Sequence, residues 1–444
     1  MLGGGEAVVE KEINFNGQGF VYLVKYRGNE YVLKWYFYDR LNNPEEFRNN
    51  LIQNVRDGAP EGSRWFLWPK DVSGYYMANG EKKAFGCLMD VPPTDYTAFD
   101  DLCLGYHWKK SAEKGAKAVK EECRFASLDA RVTAAINIVK AFRSLHRTGK
   151  SYQTLNGDRF LINAKNGDVF LKDCDLVTSD GVYWGLGGFP GYMAPEVVRG
   201  EAMSDVFTDR FSLAVVLFRL FFRADPMEGK RDFERAALEE TKELRQYGTD
   251  PVFIYDPEND TNRPVRGVHD NFIKLWPLYP SCLRDAFTRM FTEGMTDPEK
   301  RMTEEHWLKI LFRLRSDIID CPGCGKKTFS AMFYHAEHHM CVCKTCGTNF
   351  YTLQINDMEI PLYPGLKLYR CYTEKAEDYE TITGEVIENK NHKGLFGIKN
   401  LSEKYWQARF PSGDLREIRP GAGVPIWKGL MIDFEDDIKA RVLW

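Results

Sequence analysis

Two cysteine pairs carry the clearest chemistry in this chain: Cys321-Pro-Gly-Cys324-Gly and Cys343-Lys-Thr-Cys346-Gly. Four thiolates at this spacing suit a tetrahedral zinc ion, and the glycine after each pair permits the tight turn around it. Cys341 is an extra thiol, so Cys341 and Cys343 compete for one ligand position. His335, His338 and His339 lie between the pairs, but four cysteines already fill the shell, so the histidines read as surface residues. Such a closed shell is structural. A second group, Asp173-Cys174-Asp175, places two carboxylates where they could hold a metal or cap a turn.

The hairpin Asn14-Phe15-Asn16-Gly17-Gln18-Gly19-Phe20-Val21 resembles the glycine loop with which protein kinases cover nucleotide phosphates. Gly17 and Gly19 let backbone approach the phosphates, and Asn14 and Asn16 stand where glycines are usual. Val21 fits the residue over the adenine, and Lys34 on the next strand fits the lysine that contacts the α- and β-phosphates. Strand alternation puts Val32, Lys34 and Tyr36 on one face. Glu45, Glu46, Asn49 and Asn50 occupy the region that should supply the partner of Lys34, and none is singled out. Phe85–Pro92 looks like the strand entering an interlobe hinge, with adenine contacts near Asp90 and Val91. Each motif has a plainer structural reading: a hairpin turn, a strand lysine, a buried strand ending at two prolines.

Residues 149–175 resemble a kinase catalytic loop without its central carboxylate. A kinase uses an Asp to accept the substrate hydroxyl's proton and an Asn to hold a second metal. The matching positions are Thr154 and Arg159, while Asp173 keeps the metal-binding position and Asp175 is a second candidate for magnesium. Asp158 is a candidate substitute base; its alternative role is to cap a loop. Gly191–Glu196 matches the end of an activation segment. Asp209 falls in a buried helix from which it would bond the catalytic loop. Arg301 matches the arginine that pairs with Glu196, a structural pair.

Further segments resemble one bacterial family closely: Asp225–Arg231, Val252–Pro257, Asn262–Pro264, Trp276–Pro280, Leu283–Asp285 and Trp68-Pro69. They resemble the Ser/Thr kinase-like member of the tellurium-resistance-associated phosphorylation triad, across most of residues 7–350. The resemblance implies a signalling or stress-response role with a von Willebrand A-domain protein and a PPM-type phosphatase as partners. It also implies that Asp173-Cys174-Asp175 is a family habit, since members carry Asp-x-Asp there. Tyr152-Gln153-Thr154 and Arg159 depart from the family's Tyr-Lys-Asp and its following Asn.

The elements that must position these groups follow the same order. Residues 7–36 alternate as strands with turns at NGQG and RGNE, and 43–57 read as a helix. From about 97 the pattern turns helical, with helices expected at 128–149, 207–223, 228–247, 281–293 and 303–319. Residues 359–444 read as short strands in a small all-β domain, similar to forkhead-associated sandwiches or serving as a structural or docking domain. The expected architecture is α+β: a bilobal kinase-like fold, then a zinc ribbon and the β-domain. Its expected boundaries are 1–91, 92–320, 321–352 and 353–444.

At 444 residues the chain requires more than one domain. A net charge of −4 argues against a nucleic-acid partner, and Lys109, Lys110, Lys114, Lys117 and Lys120 read as one solvated helix face. No apolar run is long enough to span a membrane and no secretion signal is visible; clustered cysteines fit a reducing cytoplasm. The leading expectation is a cytoplasmic ATP-binding pseudokinase with absent or very slow phosphotransfer, structural zinc, and ATP with magnesium as possible ligands. Its rivals are an active Ser/Thr kinase with a non-standard loop and a nucleotide-free scaffold.

Overall fold

The computed structural model describes every residue except 16, 62, 110–118, 183–187, 234–238, 322, 323, 326, 330–333, 336–339, 343–345, 348, 357, 377, 379, 436 and 444. The chain divides into two compact units: Met1–Trp276 with Arg284–Leu308, and Pro277–Leu283 with Lys309–Trp444.

The first unit begins with β1 (Val8–Phe15), β2 (Gly19–Tyr26) and β3 (Asn29–Phe37). Helix α1 (Pro44–Asp57) follows, then β4 (Pro69–Val72), β5 (Tyr76–Ala78) and β6 (Glu81–Asp90). The sheet order is β1-β2-β3-β6-β4, with β5 on β6, and all pairings are antiparallel. Arg27-Gly28 and Asn79-Gly80 have positive φ at both residues, the backbone of tight hairpin turns whose twist matches the strands they join. The register sets Lys34 between Val21 on β2 and Cys87 on β6. Helix α1 starts on Pro44, a residue suited to the first turn, ends at Gly58 with φ +74°, and buries Phe47, Leu51 and Asn54.

The chain continues through β7 (Thr97–Ala98), α2 (Phe99–Leu104), β8 (Tyr106–Lys109), β9 (Val119–Glu122) and α3 (Leu128–His146). Four short strands frame the loops of interest: β10 (Lys150–Tyr152), β11 (Phe160–Ile162), β12 (Val169–Leu171) and β13 (Val177–Ser179). Then come α4 (Pro195–Val198), α5 (Val206–Phe222), α6 (Glu239–Leu244), α7 (Asp270–Leu275), α8 (Ser281–Met290), α9 (Glu293–Thr296) and α10 (Glu304–Ser316). Ser127 caps α3 by accepting the Ala130 N–H, and Asp205 with Thr208 forms a reciprocal cap on α5. Helix α5 is apolar on nearly every side because it is a core helix; Phe218 and Phe222 pack against Phe272, Trp276 and Phe287.

Two expectations are corrected. The basic run does not lie on a helix at its described ends: β8 and β9 pair antiparallel with Lys109 opposite Val119 and Lys120 opposite Trp108, while Lys110, Lys114 and Lys117 lie outside the described residues. The alternating Tyr106, Trp108 and Val119 favour a strand, and the Lys120 ammonium sits 3.6 Å from the centre of the Tyr106 ring. The helix expected over 228–247 begins as a 3-10 turn at Lys230–Phe233, and α6 runs into a wider π turn at Arg245–Thr249.

The second unit carries a hairpin of β14 (Ile318–Asp320) and β15 (Lys327–Phe329), then β16 (Tyr334–His335), β17 (Met340–Val342), β18 (Asn349–Ile355), β19 (Met358–Leu362) and β20 (Lys367–Tyr369). After a short helix come β21 (Ile382–Glu388), β22 (Phe396–Asn400), β23 (Trp406–Arg409), β24 (Leu415–Ile418), β25 (Gly423–Pro425), β26 (Met431–Glu435) and β27 (Ile438–Leu443). One sheet runs β16-β17-β18-β27-β26-β23-β24 with β19 on β18; the other runs β20-β21-β22-β25. Leu353, Ala408, Ile432 and Val442 of the first sheet share one core with Val386, Ile398 and Val424 of the second. The boundary expected at 352/353 falls inside β18, whose pairing with both β17 and β27 joins the cysteine segment to the tail.

Candidate functional site

The loops after β10 and β12 converge on the floor of the first unit's sheet. Lys34 Nζ lies 2.5 Å from Asp173 Oδ1 and 2.6 Å from Asp175 Oδ1. Tyr36, two residues along β3, donates its hydroxyl to Asp175 Oδ2 at 2.5 Å. Arg159 Nη1 lies 2.5 Å from Asp173 Oδ2, while its Nη2 donates to Thr154 Oγ1 at 3.3 Å. Thr154 and Arg159, read from the sequence at the base and second-metal positions, are thus bonded to each other, and Arg159 is clamped to Asp173. Asp173 has φ +56°, a left-handed conformation that Asp tolerates better than most residues, and the Tyr152 hydroxyl donates to the Lys172 and Asp173 carbonyls.

The charges are mutually fixed. Burial opposes the Lys34 ammonium, but Asp175 and Asp173 outweigh it and raise its pKa. Burial likewise pushes the Asp173 carboxyl up, and Lys34 and Arg159 overcome it, holding the group well below the usual carboxylate range.

Helix α1 offers Lys34 no carboxylate. Glu45 accepts from Tyr38 and Tyr75 and pairs with Lys82. Asn50 and Asn54, one turn apart on the same helix face, both donate to the Val177 carbonyl at 2.8 Å. Lys150 adds bonds to Asn54 Oδ1 at 2.8 Å and Asp57 Oδ2 at 2.9 Å. Asp175 therefore takes the lysine that a helix glutamate would hold. Asn54 and Lys150 were not picked out by motif, and Tyr36 was placed beside Lys34 only by strand alternation; for the helix, the i, i+4 spacing of Asn50 and Asn54 was the available signal.

Asp158 sits apart, exposed in the 3-10 turn Gly157–Arg159. With burial as the larger cause, its charge raises the pKa of the neighbouring Asp100 carboxyl. In the glycine hairpin, Gly17 has φ +80° with open space around it. Gly19 answers to a closer neighbour: a Cβ there would lie 1.7 Å from the Trp35 carbonyl oxygen on β3. Val21 is half-buried opposite Lys34, and Asn16 lies outside the described residues. At the end of β6, Asp90 pairs with Lys70 at 2.9 Å, and Val91 is exposed.

Buried ionic ties hold the catalytic-type loop. Asp209 Oδ2 accepts the Tyr152 N–H at 2.6 Å and faces His146 Nε2 at 3.1 Å. His146 Nδ1 faces Glu304 Oε1 at 3.0 Å, and Glu304 also pairs with Arg210. Both ring nitrogens meet carboxylate oxygens, so the ring is an imidazolium. Burial disfavours that charge, but Asp209 and Glu304 raise its pKa to about 9. Burial pulls Asp209 up to about 6, against His146 and the Tyr152 amide. Arg301 forks onto Glu196 at 2.7 and 2.8 Å and donates to the Gly294 carbonyl at 2.9 Å. The Asn262 amide bridges the Met227 and Val252 carbonyls at 2.8 Å each, which makes the Asn262–Pro264 segment a loop tie.

A kinase-like site implies magnesium on Asp173 and Asp175. Each of their four carboxylate oxygens is engaged by a protein donor: Lys34 twice, Arg159 and Tyr36. As placed, this set does not fit a resident divalent ion. The cysteines do fit one: the thiols of Cys321, Cys324 and Cys346 lie within 4.8 Å of one another, and tetrahedral zinc–thiolate bonds imply about 3.8 Å between sulfurs. Gly325 and Gly347 have φ +67° and +73°, and the Gly325 N–H closes its turn on the Cys321 carbonyl at 2.7 Å. Cys343 lies outside the described residues.

Comparison with known proteins agrees with this geometry. The family described as protein kinase domain matches residues 102–312. Over that stretch the chain is similar to protein kinase domains. It is 29% identical over 113 residues to a rhodopsin kinase of Rattus norvegicus, covering 24% of this chain and 19% of the relative. It is 30% identical over 115 residues to a putative protein kinase C delta type homolog of Drosophila melanogaster, covering 25% of this chain and 17% of the relative. The chain thus spans less than a fifth of the length of either relative. The matched kinase-like part has an α+β fold, and among the described residues no helix is long and apolar enough to cross a membrane.

Proposed function

We propose that this protein is a nucleotide-binding pseudokinase, a signalling component with absent or very slow Ser/Thr phosphotransfer. The observation that carries the reading is the Arg159–Asp173 ion pair at 2.5 Å beside Thr154. No carboxylate stands at the base position, and Arg159 blocks the carboxylate that a kinase uses for its metal. Loss of a general base alone removes about two to four orders of magnitude in rate. Lys34 and the glycine hairpin retain the groups that would meet a nucleotide's phosphates. The active-kinase alternative requires Asp158 as the base or proton loss assisted by the substrate itself, and the exposed turn that holds Asp158 gives the first route no support.

The cysteine cluster is proposed to hold structural zinc through Cys321, Cys324, Cys346 and one further thiol, Cys343 or Cys341. Cytoplasmic assembly with a PPM-type phosphatase and a von Willebrand A-domain protein is proposed on the tellurium-resistance resemblance alone. The β-rich unit is then the docking element, in the manner of a forkhead-associated domain. The test of the central reading is incubation of the purified chain with γ-labelled ATP, alongside calorimetric titration with ATP. Nucleotide binding with transfer no greater than a heat-killed control is the expected result. Robust transfer abolished by Lys34→Ala and Asp173→Ala would establish the active kinase instead, and no nucleotide binding would establish the scaffold.

A further inference from the structure

We infer that the nucleotide site works without a divalent cation, with Arg159 and Lys34 serving as the counter-charges for a metal-free nucleoside polyphosphate. The inference rests on the nucleotide-binding reading above and specifies its ligand.

In a kinase, magnesium bridges acidic side chains to phosphate oxygens, and the site needs carboxylate and carbonyl oxygens facing the ion. Here the second-metal position holds a guanidinium, which carries five N–H donors and no acceptor, so it cannot ligate a cation. It also stays charged at any working pH. Its Nη1 takes Asp173 Oδ2 at 2.5 Å, and Lys34 takes the other oxygen at 2.5 Å. Asp175 is closed in the same way by Lys34 at 2.6 Å and by the Tyr36 hydroxyl at 2.5 Å. Two carboxylates and two cations balance, so an entering dication would have to break an ion pair and face an uncompensated arginine.

A polyphosphate oxygen instead meets N–H donors that the carboxylates leave unfilled. The Lys34 and Arg159 side chains remain 13% and 21% exposed, so neither is sealed into the core. An ammonium has three donors, and the two carboxylates account for two of them. Arg159 directs single bonds to Asp173 and to the Thr154 hydroxyl and carbonyl, leaving N–H groups of its five for a phosphate oxygen. The arginine thus supplies the bridge between acidic loop and phosphate that an ion provides elsewhere, and it is covalently part of the chain.

The experiment is titration of the full chain with ATP and with ADP by calorimetry, in excess EDTA and in excess magnesium chloride. The wild type is expected to bind with affinities agreeing within a factor of ~3 between the two conditions. Arg159→Asn, which restores a ligand-type side chain, should lose ~10- to 100-fold in metal-free affinity and gain a dependence on magnesium. Arg159→Lys should keep metal-free binding at intermediate strength. If Arg159→Asn does not fold, the wild-type comparison and Arg159→Lys still decide. Binding by the wild type only with magnesium, or at least ~10-fold tighter with it, overturns this inference and leaves the pseudokinase reading intact. No binding in either condition overturns both.

Discussion

Restoring the catalytic carboxylate alone should not restore catalysis. Thr154→Asp would set an acid where the Thr154 hydroxyl now accepts from Arg159 Nη2 at 3.3 Å. At that separation and an effective dielectric of about 20, the Coulomb attraction is ~5 kcal/mol before desolvation. A cation that close lowers a carboxyl pKa by about one to three units. The new carboxylate would be a poor proton acceptor, locked onto the guanidinium. Arg159→Asn alone frees Asp173 but leaves no base. The double variant Thr154→Asp/Arg159→Asn removes both defects, and a positioned general base contributes about 10²–10⁴ in rate. We therefore expect each single variant to remain within about tenfold of the wild type and the double variant to exceed it by ~10²–10⁴, a strongly non-additive pair. The assay is transfer from γ-labelled ATP, with magnesium present, to the chain itself and to a basic-protein acceptor. Lys34→Ala in the double background should abolish the gain. The reasoning fails if Thr154→Asp alone matches the double variant, or if a folded, ATP-binding double variant transfers no more than the wild type.

Three further outcomes follow from the structure. Glu196→Ala leaves the buried Arg301 guanidinium without its bidentate partner and should cost about 3–5 kcal/mol in denaturant unfolding; a loss under ~1 kcal/mol would show the pair to be unimportant. His146 has a folded-state pKa raised to about 9, so its contribution is complete below the unfolded value and disappears as pH rises through about 9. The stability difference between wild type and His146→Gln should accordingly shrink by about 3 kcal/mol between pH ~7 and ~10, and a difference independent of pH would refute the charged assignment. Purified protein should contain about one zinc per chain by elemental analysis, and Cys321→Ser or chelation should lower the melting temperature of the second unit; metal-free protein with unchanged melting would exclude the zinc site.

Much of the kinase-like frame was legible because its motifs are local and ordered. Thr154, Arg159 and Asp173 could be assigned by their place between a helix end and two short strands. Glu196 and Arg301 are 105 residues apart, yet each belongs to a recognisable motif, and the structure joins them at 2.7 Å. Helices α3 and α5 were visible from apolar residues at helical spacing. The ends of the basic run, at Lys109 and Lys120, were misread because lysine count carries no period, and the strands that hold them are only four residues each. The boundary inside β18 was invisible because strand pairing across the unit depends on long-range register, which composition does not encode.

Sequence by itself determined that Thr154 and Arg159 stand where the kinase resemblance expects an acid and an amide. It also determined the ligand type of the cysteine cluster, since thiols at that spacing have few other uses. Only the tertiary structure decided where the new charge goes. Arg159 could have pointed to solvent; instead the turn after β12, with Asp173 in a left-handed conformation, presents a carboxylate oxygen to it. The same fold brings Lys34 and Tyr36 from a strand 139 residues away onto Asp175, and turns α1 so that asparagines, not a glutamate, face the loop. The presence of Thr154 and Arg159 in this loop is a local fact of the chain. The closed ion network around them exists because burial in a low-dielectric cleft requires each charge brought there to find a partner.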